Sequence, residues 1–111
     1  MLAKRRARIV QEYLAITKKI PQSTQKDMVE FIDRVVGVTQ WGNITNPLYP
    51  TAALSLPVAM EIAIRAEEIT LDWLLLGKEK NLDGAVLRRL NQAEDVLIEN
   101  GVLPPRSPPA R

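Results

Sequence analysis

The chain has no cysteine and no histidine in its 111 residues. No disulfide can form. A structural zinc site would need carboxylates alone, against the metal's preference for thiolate and imidazole. The same two absences remove Ser-His-Asp and Cys-His chemistry and most general-base chemistry. An enzyme here would have to work with carboxylates, lysine or tyrosine, and no such constellation stands out. Glu67 and Glu68 are adjacent, and consecutive helical residues do not face each other. No catalytic residue, metal or cofactor is expected. Aromatic residues make up 5% and hydrophobic residues 46%, so the core is aliphatic and small. No run approaches the ~18 apolar residues of a membrane span. The charged start, MLAKRRARIVQEYLAITKK, lacks the apolar segment of a signal peptide. The expectation is a protein with no membrane partner, cytoplasmic in a bacterium or in a host cell.

What is present is unevenly charged. Residues 1–40 carry eight Lys/Arg against four Asp/Glu, a net +4, whereas residues 41–77 carry Arg65 against four acidic residues, a net −3. The whole chain is +2. The basic end is the natural phosphate-facing side. The pattern is compatible with nucleic-acid binding and does not demand it.

The periodicity predicts six helices and no strand, an all-α chain. The first covers residues 3–20, with an amphipathic stripe through Ile9, Val10, Tyr13 and Leu14, and Pro21 stops it. Ser23 or Thr24 caps a second over residues 25–36, with Thr24 and Asp27 as a loose capping box, and Gly37 ends it. A short third helix opens at residues 38–41 with Thr39 as its cap, and Asn46-Pro47 breaks it. Residues 47–54 form a loop, with Tyr49 and Pro50 packing down. Residues 55–77 hold the fourth and fifth helices. Ser55 and Thr70 are the caps, Pro57 stands in a first turn, Asp72 favours a helix N-terminus, and Gly77 closes in the left-handed conformation. A sixth helix runs over residues 82–100 and ends at Gly101. The proline-rich residues 102–111 are expected to be extended or disordered. Residues 1–80 read as one domain and residues 81–101 as an added helix.

The order in residues 55–80, SLPVAMEIAIRAEEITLDWLLLGKEK, resembles the last two helices of the lambda-repressor-like helix-turn-helix domains of phage and bacterial transcription regulators. The run Val36-Gly37-Val38-Thr39-Gln40 is similar to the turn of that family. The resemblance covers about half the chain, residues 25–80. It implies a five-helix domain, here with an additional C-terminal helix, that binds double-stranded DNA as a homodimer and regulates transcription as a repressor. It also implies a sharp turn at Gly37, with positive φ, and a reading helix over residues 39–46. The chain departs from the family pattern at Asp33, where a small residue is usual, and at Asn43, where a β-branched one is. Gly42 lies inside the reading helix, at a cost of about 1 kcal/mol relative to alanine.

On that reading Gln40, Asn43, Thr45 and Asn46 read bases, since Asn and Gln can pair with adenine and a threonine methyl can touch thymine. The reading stretch has no Lys or Arg, so phosphate contacts fall to Lys4, Arg5, Arg6, Arg8, Lys18, Lys19 and Lys26, with Thr39 at the helix start. Residues 4–8 also read as a solvated helix start. Trp41 is either a half-buried anchor or an exposed contact. Val86, Leu87, Leu90 and Leu97 form a stripe on the sixth helix, for dimerisation or for packing on their own domain. The rival reading is a protein-interaction module on the same helical fold, such as an antirepressor, an adaptor or a modulator of a host protein. An apolar patch around Trp41, Leu48 and Tyr49 would favour it.

Overall fold

A computed structural model describes residues 3–49 and 51–106. Among them the chain is all-α, in the order α1 (Ala3–Ile16), α2 (Gln25–Phe31), α3 (Val38–Thr45), α4 (Leu56–Arg65), α5 (Leu71–Leu76) and α6 (Gly84–Glu99). One apolar cluster runs from Ala7 to Leu103, with Trp41, Tyr13, Leu14, Met28, Ile62, Leu74 and Leu97 fully buried. Each such side chain removed from water contributes about 1.5–3 kcal/mol.

α1 is the hub. It packs on α3, α5 and, most extensively, α6. Its inward stripe is Ala7, Val10 and Leu14, with Ile9 and Tyr13 beside it. The helix ends four residues before the predicted boundary. Lys18 takes φ 64°, and the Lys19 and Ile20 amides return to the Leu14 carbonyl at 2.9 and 3.2 Å. Those bonds satisfy the helix end, and Ile20 turns into the core.

α2 is also shorter than its periodicity suggests. Thr24 caps it as expected, its hydroxyl accepting from the Asp27 amide at 3.1 Å. Asp27 does not close the capping box on Thr24; its carboxylate accepts from the Gln22 amide at 3.1 Å. The helix stops at Phe31 because Asp33 and Arg34 both enter the left-handed region, at φ 57° and 56°. Gly37 does not supply the positive φ of the turn. It sits at φ −78°, ψ 167°, as the N-cap of α3. Thr39 therefore lies inside α3 rather than capping it.

α5 matches its sequence signals. The Thr70 hydroxyl accepts from the Trp73 amide at 3.1 Å, Asp72 stands in the first turn, and Gly77 closes the helix at φ 74°. α4 carries Pro57 in its first turn, but the Ser55 hydroxyl makes no capping bond. α6 starts at its cap, Asp83, whose carboxylate accepts from the Ala85 amide at 2.8 Å.

The C-terminal third is built into the core, and of the two readings of the α6 stripe the packing one holds. Val86, Leu90 and Leu97 are buried in the chain's own core and Leu87 is half-buried, so the α6 stripe is occupied by α1. α6 thus belongs to the same core as the preceding helices and is not an appendage. The first part of the proline-rich tail is pinned rather than loose. Leu103 is buried, and the Arg106 guanidinium binds Glu94 and Asp95, each at 2.6 Å. Those partners hold the Arg106 pKa above its usual value, Asp95 foremost. Residues 107–111 of the tail, and Pro50, lie outside the described residues. Tyr49 does not pack down; it is half exposed.

Candidate functional site

The α2–α3 unit is where a reading helix was expected, and its geometry starts from Trp41. The indole is fully buried against α1 and donates its Nε1–H to the Gln11 Oε1 at 2.7 Å. Gln11 is itself 2% exposed, so the bond is made away from water. Trp41 is thus an anchor, not an exposed contact. With Ile44, it fixes the rotation of α3 about its own axis.

That rotation decides which expected base-readers face outward. Gln40 and Thr39 are exposed and Asn43 is half-buried, and none of the three side chains is hydrogen-bonded among the described residues. Thr45 is corrected: it is 8% exposed, and its hydroxyl donates back to the Trp41 carbonyl at 3.1 Å, so it cannot read a base. Asn46 is committed to the following turn, where its Oδ1 accepts from the Leu48 amide at 2.9 Å. Gly42 has a packing reason. A Cβ there would come within 3.0 Å of the Gln25 side chain, so the close α2–α3 approach sits at Gly42, and the small residue the helix crossing needs is on α3.

The side chains of the N-terminal basic cluster are engaged within the fold rather than solvated. Each cation is tied to a different part of the fold. The Lys4 ammonium donates to the Asn43 and Ile44 carbonyls at 2.8 and 2.9 Å, satisfying the end of α3. Arg5 donates through Nε to buried Glu94 at 2.8 Å, and its Nη2 is buried without a partner. Arg6, 3% exposed, donates to the Leu74 and Leu75 carbonyls, both at 2.9 Å, at the end of α5. Arg8 donates to the Ser23 hydroxyl at 3.2 Å and lies 3.8 Å from Glu12. Burial lowers the pKa of Lys4, Arg6 and Arg8, with Glu12 opposing the shift at Arg8. Cations placed at helix C-termini interact favourably with the dipole there, which gives this cluster a structural role.

Of the remaining cationic candidates, Lys19 is paired with Glu68 at 3.1 Å. Lys18 is exposed at the end of α1, and Lys26 is exposed on α2. Lys26 borders one open depression together with Arg34, Gly37 and Val38, at the start of α3. Arg34 is a residue the sequence reading missed. It is 76% exposed, and its contact with Glu30 at 3.8 Å is long and solvated. No sequence signal marked it, because its position follows from the left-handed backbone of a non-glycine pair. Such pairs cost about 1–3 kcal/mol per residue and concentrate at functional segments.

No helix of the described residues is long and apolar enough to cross a membrane. Among the described residues no group of acidic side chains is arranged to hold a metal ion. No protein-family model matches the chain, and no curated protein or solved structure matches it significantly.

Proposed function

We propose that this chain is a sequence-specific double-stranded DNA-binding regulator, of the repressor type found in phages and bacteria, that reads DNA with the outer face of α3. The observation that carries this reading is the presentation of that face. Thr39, Gln40 and Asn43 project from a helix locked in rotation by the buried Trp41–Gln11 bond. α3 carries no acidic residue, and Lys26 and Arg34 flank its start. Gln40 and Asn43 are the base-readers. Lys26, Arg34, Lys18 and the Thr39 hydroxyl contact phosphates.

The test is selection from a random duplex pool at ~0.15 M salt, where weak phosphate attraction no longer dominates. The proposal expects an enriched motif. Gln40→Ala and Asn43→Ala should each cost about 1–3 kcal/mol of discrimination at one base pair. Lys26→Ala should weaken all sequences alike and reduce the salt slope by about one. A folded protein that enriches nothing refutes the reading.

A second reading, the protein-interaction module, is favoured by one observation. Leu48 is 83% exposed and Tyr49 is 50% exposed directly after α3. On that reading these two side chains dock a protein partner, and Leu48→Ser abolishes the complex while leaving the fold intact.

A further inference from the structure

Glu94 on α6 is a buried carboxylate shared by two arginines from opposite ends of the chain. Its Oε2 accepts from the Arg5 Nε on α1 at 2.8 Å, and its Oε1 accepts from the Arg106 Nε at 2.6 Å. The Glu94 side chain is 2% exposed, so neither oxygen can turn to water instead. The pairing with Arg5 is incomplete. Arginine binds a carboxylate most strongly through two parallel N–H groups, and Nε and Nη2 lie along one edge of the guanidinium. Arg5 donates to Glu94 through Nε alone, and its Nη2 is buried with no partner among the described residues. The oxygen that would complete the fork, Glu94 Oε1, is taken by Arg106. The segment that carries Arg106 has few other fastenings. Gly101 turns the chain off α6 at φ 72°, and the Val102 and Leu103 amides donate to the Leu97 carbonyl at 2.9 and 3.2 Å. Leu103 is buried. Pro104 and Pro105 follow and have no N–H to donate. Besides Glu94, Arg106 reaches Asp95 at 2.6 Å and the Asn91 carbonyl at 3.3 Å.

We propose that residues 102–106 form a detachable strap, and that Arg5 takes the place of Arg106 on Glu94 when the strap opens. In the closed state Arg106 holds Oε1 and the Arg5 Nη2 has no acceptor. In the open state Oε1 accepts from the Arg5 Nη2, and a one-bond pair becomes a fork. One charged hydrogen bond to a buried oxygen replaces another, so the buried carboxylate is fully paired in both states. Asp95 is 57% exposed and is solvated once Arg106 leaves. The strap therefore opens as a local event, without unfolding of the helices. Opening takes Leu103 out of the core and uncovers the apolar surface it occupies at the end of α6. The device involves no residue of α3 and stands whether or not α3 reads DNA.

The experiment is thiol labelling of the full chain without DNA, so its outcome is separate from that of the DNA selection. The chain lacks cysteine, so one introduced thiol reports opening. Leu103→Cys should react with an aromatic disulfide reagent about tenfold faster, or more, than Leu97→Cys, which is buried within α6 and waits for unfolding. Arg5→Lys keeps the charge and loses the two-bond edge. It should slow the labelling of Leu103→Cys by about threefold or more, because the open state loses its fork. A residue that merely stabilised the fold would speed labelling when weakened. A second measurement needs no thiol. In Arg106→Met, followed by nitrogen-15 NMR of the arginine side chains, the Arg5 Nη2 hydrogens should move downfield as they gain a carboxylate acceptor. Labelling of Leu103→Cys no faster than Leu97→Cys, labelling unchanged or faster with Arg5→Lys, or Arg5 Nη2 resonances unmoved in Arg106→Met would each overturn the proposal.

Discussion

Replacing Arg6 by methionine separates a structural cation from a DNA-binding one. Methionine keeps most of the apolar stem and removes the guanidinium. The Leu74 and Leu75 carbonyls then lose their 2.9 Å donors. Leu74 is fully buried, so its carbonyl stays dry, whereas Leu75 is partly exposed and water can replace the lost donor there. A dry unpaired group costs about 1–3 kcal/mol, and a bond from a charged donor is worth about 1.5–3. Loss of the favourable dipole contact adds up to about 1–2 kcal/mol. Against this stands the relief of no longer burying a charge, the same desolvation that lowers the Arg6 pKa. The net expectation is a loss of about 2–4 kcal/mol, or roughly 10–15 °C in Tm for a domain of this size. Urea unfolding followed by circular dichroism should show the midpoint falling with an unchanged slope. Arg6→Met as stable as the parent, but with weaker DNA binding and a shallower salt dependence, would refute the assignment and return Arg6 to the phosphate contacts.

The other predictions are more local. Gln11→Leu and Trp41→Phe should each cost about 1–3 kcal/mol by stranding a buried polar partner. The double variant should cost less than their sum in thermal melts, because both partners are then apolar. Gly77→Ala should cost about 1–2 kcal/mol by the same melts, since φ is 74° and its Cβ would come within 3.0 Å of the Arg6 Nη1. Burial, followed by the 2.9 Å bond to Glu68, raises the Tyr13 pKa from 10.0 to about 12. The folded state therefore holds this proton more tightly, and the stability it contributes is complete below pH 10.0 and is lost as pH rises toward about 12. Tyr13→Phe should flatten that alkaline decline. Burial works against the Glu68 carboxylate, but its own amide, Tyr13 and Lys19 outweigh it and hold its pKa below 4.5. Its contribution is present above pH 4.5 and lost on acidification through the folded value, which an acid titration of Glu68→Gln should show as a shallower fall.

How much of this was legible in the sequence depended on how local the cause was. The Thr70 cap, Asp72 and the left-handed Gly77 act within one helical turn, and all three read correctly. The apolar stripe of α1 was legible for the same reason. The end of α2 was not, because the residues that leave the helix, Asp33 and Arg34, carry no glycine signal; the visible glycine, Gly37, has ordinary backbone angles. The basic cluster was legible as charge, whereas its engagement within the fold was not. The partners of Lys4, Arg5 and Arg6 lie between 39 and 89 residues away in sequence, beyond the reach of any local pattern. Of the expected base-readers, exposed Gln40 and half-buried Asn43 keep side chains without hydrogen-bond partners among the described residues. Thr45 and Asn46 were lost to contacts that helical spacing does not reveal.

The fastening of α1 has a consequence for how the chain is made. Its basic residues close onto α3, α5 and α6, and its largest packing partner is the last helix. A ribosome releases α1 first and α6 last, so the first helix waits with its apolar stripe uncovered until residues near Leu103 have emerged. Contacts this distant in sequence slow folding, since the closure of a long loop comes before any reward. Truncated products ending before α6 should therefore expose the α1 stripe and aggregate, rather than persist as small folded domains.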